Sequence, residues 1–183
     1  MTIQVGQPAP AVHVEAYVRG DGDPKAFSLR ELSGKWVVLF FYPRDFTFVC
    51  PTEIYSFAAL QPEFEQEDAV VLAASTDSYF SHKAWFESDS RLKDVAYPVI
   101  ADTSHKLSEV FQVLREDGSA SRGTFIIDPD GVLRHVSVTE INVGRSVEEI
   151  LRVLQALRTG ELCPAGWTPG QPTLTLQAAP AAS

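Results

Sequence analysis

Trp36-Val37-Val38-Leu39-Phe40-Phe41-Tyr42 is apolar at every position and rich in β-branched and aromatic residues. A strand with one wet face alternates polar and apolar. One that is apolar throughout is buried on both faces, as in a parallel sheet covered by helices. Ala69-Val-Val-Leu-Ala-Ala-Ser75 reads the same way. Between the two, Ile54, Phe57, Ala58 and Phe64 mark one face of a helix over 50–67. Strand, helix, strand in that order predicts a βαβ unit with a right-handed crossover.

Working outward, 78–87 is a second helix, and Leu107, Val110 and Phe111 mark a third. Gly123-Thr-Phe-Ile-Ile-Asp128 and 132–138 flank Asp128-Pro-Asp-Gly131, whose Pro and Gly are turn chemistry, so the pair predicts a hairpin. Ser146-Val-Glu-Glu149 is a capping box. It opens a helix carrying Val147, Ile150, Leu151, Leu154 and Leu157 at helical spacing. A second box, Ser28 to Glu31, predicts a short helix before the first central strand. The sum is an α/β fold: a central mixed β-sheet, parallel in the middle with an antiparallel hairpin on one side, flanked by helices.

The chain has 183 residues, enough for one domain with a self-sufficient core. Fifteen Lys and Arg against 24 Asp and Glu give a net charge of −9. That balance argues against a nucleic-acid surface, where affinity comes from cations neutralising phosphates. The longest apolar run, Trp36 to Tyr42, is far short of the ~20 residues a membrane span needs. The first residues carry neither a basic segment nor a long apolar one, so no secretory signal is read there. The expectation is a cytoplasmic protein whose two cysteines rest reduced, with any disulfide transient and catalytic. The closing Gln177-Ala-Ala-Pro-Ala-Ala-Ser183 is expected to fray.

Cys50 lies in Tyr42-Pro43-Arg-Asp-Phe-Thr47-Phe-Val-Cys50-Pro51-Thr-Glu53, which joins the first central strand to the helix. Ligand sites of open α/β sheets form beyond the carboxyl ends of the strands. Pro51 suits the first turn of a helix, which places Cys50 at the helix N-terminus. Unpaired N–H groups and the positive dipole end favour an anion there, and the thiolate is the reactive form of cysteine. The bland alternative is a small buried hydrophobe, the usual fate of a lone cysteine beside an apolar strand. Thr47, able to aim a hydroxyl at the helix start, and Pro43, able to wall a pocket, favour a reactive site. A dithiol exchange site of Cys-x-x-Cys type does not fit, because Glu53 stands where the second thiol would be.

The other cysteine, Cys163, lies in Gly160-Glu-Leu-Cys163-Pro-Ala-Gly-Trp167, whose Gly and Pro predict irregular backbone. It reads either as a mobile thiol able to reach an oxidised partner or as an ordinary surface cysteine. Arg122 opens the strand of the predicted hairpin. If that strand runs antiparallel to the Cys50 strand, Arg122 stands beside the Cys50 loop and can stabilise a thiolate or a bound oxygen. Otherwise it is a solvated edge arginine. Arg145 has the simpler alternative of pairing with Glu148 or Glu149. No Gly-x-Gly-x-x-Gly follows a strand, and His13, His82, His105 and His135 lack metal-ligand spacing and are read as surface residues, so no cofactor is expected.

Phe46-Thr47-Phe-Val-Cys50-Pro-Thr-Glu53, with Pro43 ahead of it, resembles the peroxide-attacking signature of the peroxiredoxins. Gly160-Glu-Leu-Cys163-Pro-Ala-Gly-Trp167 is similar to the resolving-cysteine segment of the typical two-cysteine group, which includes the alkyl hydroperoxide reductase C subunits. Ser81-His-Lys-Ala-Trp85, Arg122 to Asp128 and Val143-Gly-Arg-Ser146 also match that group, and the likeness runs from about Ile3 to Leu176. The resemblance implies a thioredoxin-like fold over 1–160, with a resolving-cysteine segment and tail over 161–183. It implies a thiol peroxidase acting on hydrogen peroxide and organic hydroperoxides. Cys50 would form a sulfenic acid, then a disulfide with Cys163. A thioredoxin-like protein or a flavoprotein disulfide reductase would recycle it. Thr47, Arg122 and Pro43 would form the pocket; Glu53 and Arg145 would orient Arg122, and Trp85 would pack nearby. Homodimers building into decamers are implied, with no nucleic-acid or membrane partner. The Gly-Gly-Leu-Gly insertion and Tyr-Phe tail of oxidation-sensitive members are missing, which implies resistance to over-oxidation. Two other classes stay open on the residues: a disulfide-exchange protein and a non-enzymatic holdase.

Overall fold

The computed structural model describes residues 3–175, so the closing segment expected to fray lies outside the described residues. The strands are β1 (His13–Tyr17), β2 (Lys25–Ser28), β3 (Trp36–Phe41), β4 (Ala69–Ser75), β5 (Val99–Ala101), β6 (Arg122–Ile127) and β7 (Leu133–Thr139). They form one seven-stranded sheet in the order β2-β1-β5-β4-β3-β6-β7. β3 pairs parallel with β4, and β4 parallel with β5, while β6 runs antiparallel to both β3 and β7. The helices are α1 (Cys50–Ala59), α2 (Gln61–Gln66), α3 (Tyr79–Ser88), α4 (Lys106–Val110) and α5 (Val147–Thr159). None of the described helices is long and apolar enough to cross a membrane.

The fully apolar β3 serves two cores at once. Val38, Phe40 and Tyr42 face one cluster, into which α1, α2, α3 and α5 deliver Ile54, Phe57, Phe64, Phe86 and Leu154. Val37, Leu39 and Phe41 face the other, with Leu107, Phe111 and Phe125. Phe40 stacks on Phe57 with ring centroids 3.9 Å apart, which docks α1 on the sheet just beyond the Cys50 loop. Each such side chain taken fully out of water is worth roughly 1.5–3 kcal/mol.

The helix expected over 50–67 is two. The chain breaks at Leu60 (φ −99, ψ 7), and Pro62 stands in the first turn of α2. A proline inside a continuous helix would remove an N–H and press its ring on the carbonyl of Ala58, so the helix restarts instead. The N-terminal hairpin β1–β2 was not anticipated, although His13-Val-Glu-Ala-Tyr17 does alternate, with Val14 and Ala16 buried. It extends the sheet past β5, which at three residues is too short to read from sequence. Ser28 caps a 3-10 turn at Leu29–Leu32 through a complete capping box, a tighter turn than the α-helix the motif suggests. At Ser146 only half of the expected box forms: its hydroxyl accepts from the Glu149 N–H, while the Glu149 carboxylate turns to Arg152.

Candidate active site

β3 ends at Phe41, the chain crosses a short loop, and α1 begins at Cys50. Val49 is the N-cap and Pro51 occupies the first turn, where its missing N–H leaves nothing unpaired. The N–H groups of Val49 and Cys50 have no acceptor within the helix. Cys50 is nearly inaccessible (1% exposed).

β6 is antiparallel to β3, with Thr124 opposite Phe40. That register carries Arg122 past the end of β3 to the Cys50 loop. The Arg122 Nη1 lies 3.5 Å from the Cys50 Sγ and donates to Glu53 Oε2 at 2.6 Å, while its Nε donates to the Ile141 carbonyl at 2.8 Å. Glu53 is one helical turn from Cys50, so both face the arginine. Arg145 closes the other side of Glu53: its backbone N–H and Nε each donate to Oε1 at 2.9 Å, and its Nη2 to Oε2 at 3.1 Å. It also donates to the Phe41 and Gly123 carbonyls and to the Thr124 hydroxyl, and its guanidinium lies 5.3 Å from the Phe40 ring centre. One arginine thus ties the ends of β3 and β6 to α1. Burial pushes the Glu53 carboxyl up, but the hydrogen bonds and charge of Arg145, helped by Arg122, outweigh it and hold the group below its ordinary value.

The pairing of Arg145 with Glu148 or Glu149 does not occur. Glu148 accepts from Ser146 and Glu149 holds Arg152. Thr47 is half-buried, and its hydroxyl donates back to the Arg44 carbonyl at 3.0 Å rather than to the helix start. Pro43 is half-buried just beyond β3. Trp85 is buried on α3, with its ring 5.7 Å from Phe46 and 6.2 Å from Tyr42, so it supports the loop from beneath. Cys163 is not near Cys50. Its sulfur meets the Thr159 hydroxyl (3.4 Å) and the Ala156 carbonyl (3.7 Å) at the far end of α5. Both cysteines are unbridged.

A buried polar cluster beneath the loop escaped the sequence. His82, read as a surface residue, is fully buried (0% exposed). Its Nδ1 lies 2.9 Å from Asp45 Oδ2. Asp45 also accepts from the Tyr42 hydroxyl (2.8 Å) and the Ser81 hydroxyl (2.7 Å), and its own N–H donates to Asp77 (2.8 Å). The partners lie in the loop just past β3, ahead of α3 and on α3, so no local spacing marks them. The only signal was that Ser81-His-Lys-Ala-Trp85 belongs to the matched motifs.

Residues 5–136 match the model of the AhpC/TSA family, and 156–180 match a model described as the C-terminal domain of 1-Cys peroxiredoxin. The chain belongs to the AhpC/TSA peroxiredoxins. It is a thiol-dependent peroxidase of that family. It is 51% identical over 178 residues to peroxiredoxin prdx-2 of Caenorhabditis elegans, covering 93% of this chain and 88% of the relative. It is 43% identical over 182 residues to alkyl hydroperoxide reductase C of Mycobacterium tuberculosis, covering 94% and 93%. Among solved structures, the reduced 2-Cys peroxiredoxin of Plasmodium vivax superposes with a TM-score of 0.88 at 34% identity, covering 93% of this chain and 92% of that one. The peroxiredoxin form of the thioredoxin-like fold therefore accounts for the mixed sheet and its helices.

Proposed function

We propose that Cys50 is the thiol that attacks peroxide and Cys163 the thiol that resolves the product. The observation that carries the first role is the Arg122 guanidinium, 3.5 Å from a buried sulfur at a helix N-terminus and held there by a carboxylate with a second arginine behind it. The Cys50 sulfur attacks one peroxide oxygen in line with the O–O bond. The other oxygen leaves as hydroxide or alkoxide and takes up a proton. The O–O bond is weak, so the protein's task is alignment and stabilisation of charge on the departing oxygen. Arg122 and the free N–H groups at the start of α1 are the donors for that charge. Thr47 joins them once a bound peroxide oxygen replaces the Arg44 carbonyl as its acceptor, and Pro43 walls off water. Hydrogen peroxide and organic hydroperoxides share this chemistry.

Cys50 becomes a sulfenic acid, which condenses with the Cys163 thiol to a disulfide and water. α5 starts beside Arg145 and ends beside Cys163, and its 13 residues span ~20 Å. That separation favours Cys163 of a second copy as the partner. β7 supports a homodimer: it is the outer strand next to β6, and although Gly6 and Gln7 pair with its outer edge at Leu133, the stretch from Val136 onward is left to pair, with Val138 exposed upon it. A decamer of such dimers, a cytoplasmic setting and an external dithiol reductant, thioredoxin-like or flavoprotein, complete the reading. In that reading 1–160 is the peroxidase domain and 161–183 the resolving segment and tail, and resistance to over-oxidation is expected.

The test is a single-turnover thiol count. Fully reduced protein receives one equivalent of hydrogen peroxide for seconds, is quenched with an alkylating reagent, and is weighed intact beside a non-reducing gel. Loss of both thiols with a covalent dimer is expected. Loss of both within a monomer would overturn the cross-chain geometry, and survival of both would remove Cys50 as the nucleophile. Cys163→Ser is expected to consume one peroxide per Cys50 and stall with a dithiol protein as sole reductant.

A further inference from the structure

The segment after α5 is folded back upon that helix. Trp167 is buried, its Nε1 donates to the Gln171 carbonyl (3.0 Å), and the Gln171 side chain accepts from the Thr168 N–H (3.0 Å). The Leu174 N–H donates to the Leu162 carbonyl (2.7 Å), and the Thr173 hydroxyl donates to Glu161. These bonds close the segment on itself. Side chains of α5 tie it to the helix at two levels: the Thr159 hydroxyl accepts from the Glu161 N–H (3.1 Å) at the helix end, and further along Arg152 Nη1 donates to the Trp167 carbonyl at 2.7 Å. The rest of that guanidinium is gripped by Glu149, with Nε at 2.6 Å and Nη2 at 2.7 Å from the two carboxylate oxygens. Arg152 also lines, with Val153, Ala156 and Pro164, the open cavity of about 360 Å³ in which Cys163 sits. The Cys163 thiol faces the helix end, against the Thr159 hydroxyl and the Ala156 carbonyl.

To meet the Cys50 sulfur, Cys163 has to leave that berth. We propose that Arg152 is a positioning residue for disulfide formation: by holding the Trp167 carbonyl against α5 it sets how often Cys163 is released, and so how the Cys50 sulfenic acid divides between its two fates. This rests on the reading of Cys163 as the resolving thiol. In one fate the sulfenic acid and the Cys163 thiol give a disulfide and water. In the other a second peroxide molecule transfers an oxygen to the same sulfur, leaving a sulfinic acid and the alcohol or water derived from the peroxide. The two compete for one intermediate, so faster release of Cys163 favours the disulfide.

The experiment is rapid mixing of the reduced full-length protein with hydrogen peroxide, followed by acid quench, alkylation and intact mass. Arg152→Met is compared with the wild type. The Cys50 attack phase is expected to stay the same, which also reports that the fold around Cys50 is intact. The disulfide phase is expected to accelerate about five-fold, the weight of one lost hydrogen bond. The peroxide concentration giving half sulfinic acid rises by the same factor. Amide exchange over 161–175 becomes faster alongside. Glu149→Gln keeps the bond to Trp167 and is expected to leave the disulfide phase within two-fold of the wild type, about the noise of such a comparison. Arg152→Lys, which keeps a cationic donor, is expected to restore most of the wild-type rate. A disulfide phase that is unchanged or slower in Arg152→Met, while the wild type forms its Cys50–Cys163 bond normally, would overturn the role of Arg152 alone. If the wild type shows no such bond on peptide mass mapping, the two-cysteine reading falls and this role falls with it.

Discussion

Glu53 stands between two guanidinium groups, Arg122 at 2.6 Å and Arg145 at 2.9 Å, with all three side chains almost wholly buried. Removing the carboxylate leaves two buried cations facing each other, whereas removing Arg122 leaves Glu53 paired with Arg145. Breaking a buried pair costs about 3–5 kcal/mol when it strands a charge. Glu53→Gln is therefore expected to destabilise the protein by about 3 kcal/mol, and more than Arg122→Met does; urea unfolding at neutral pH measures both. For activity the order reverses: in the proposed mechanism Arg122 is a donor to the departing oxygen, so Arg122→Ala is expected to slow Cys50 oxidation about a hundred-fold, read by stopped flow. The carboxylate also gives stability a pH dependence of known sign. Its value in the folded protein is held below the ordinary 4.5, so the unfolded chain binds its proton more readily. Its contribution is full above that ordinary value and is lost as pH falls through the lower folded one. Unfolding free energies taken between about pH 5 and about pH 3 are expected to fall more steeply for the wild type than for Glu53→Gln.

At the level of elements, β6 delivers Arg122 and accepts the grip of Arg145 at the Gly123 carbonyl. A Cβ on Gly123 would lie 2.6 Å from Val113 Cγ1 and 2.9 Å from Phe125 Cε2. Both neighbours are buried, and the Phe125 ring is packed edge-on to Phe111 and Phe41, so neither yields cheaply. Gly123→Ala is expected to cost about 1–3 kcal/mol by overpacking and to lower the rate of Cys50 oxidation by displacing Arg122; thermal unfolding and stopped flow read the two effects. The loop before α1 has its own support. Asp45 answers Tyr42, Ser81 and His82 at once. Asp45→Ala leaves the buried Tyr42 and His82 and the half-buried Ser81 without that partner. It is expected to lower stability by about 2–3 kcal/mol and to speed amide exchange across 43–49 before it affects exchange in β3.

Across the whole molecule, the two sulfurs lie at opposite ends of α5, while the proposed mechanism requires them to meet. On the proposed roles, the part of the β7 edge beyond Leu133 would let a second chain bring its Cys163 to this Cys50. The peroxide-treated wild type is therefore expected to run as a covalent dimer on a non-reducing gel, and a variant with Pro in place of Val136, which removes an N–H from β7, as a monomer with slower disulfide formation.

The amino-acid sequence by itself determined β3 and β4, the hairpin of β6 and β7, the start of α5, and the place of Cys50 at the head of a helix. Those features rest on local physics: side chains apolar on both faces, turn residues between strands, a capping serine, a proline in a first turn. The break at Leu60 also has a local cause, in Pro62, while tertiary structure alone decided the docking of β1 against β5 and the burial of His82. It also decided that Arg145 bonds Glu53 and the strand carbonyls rather than its neighbours in the chain. These turn on partners 37 to 104 positions apart, which meet only after the sheet has formed. Local pattern records what a segment prefers, whereas a buried charge takes its partner from whatever the packed fold brings within reach.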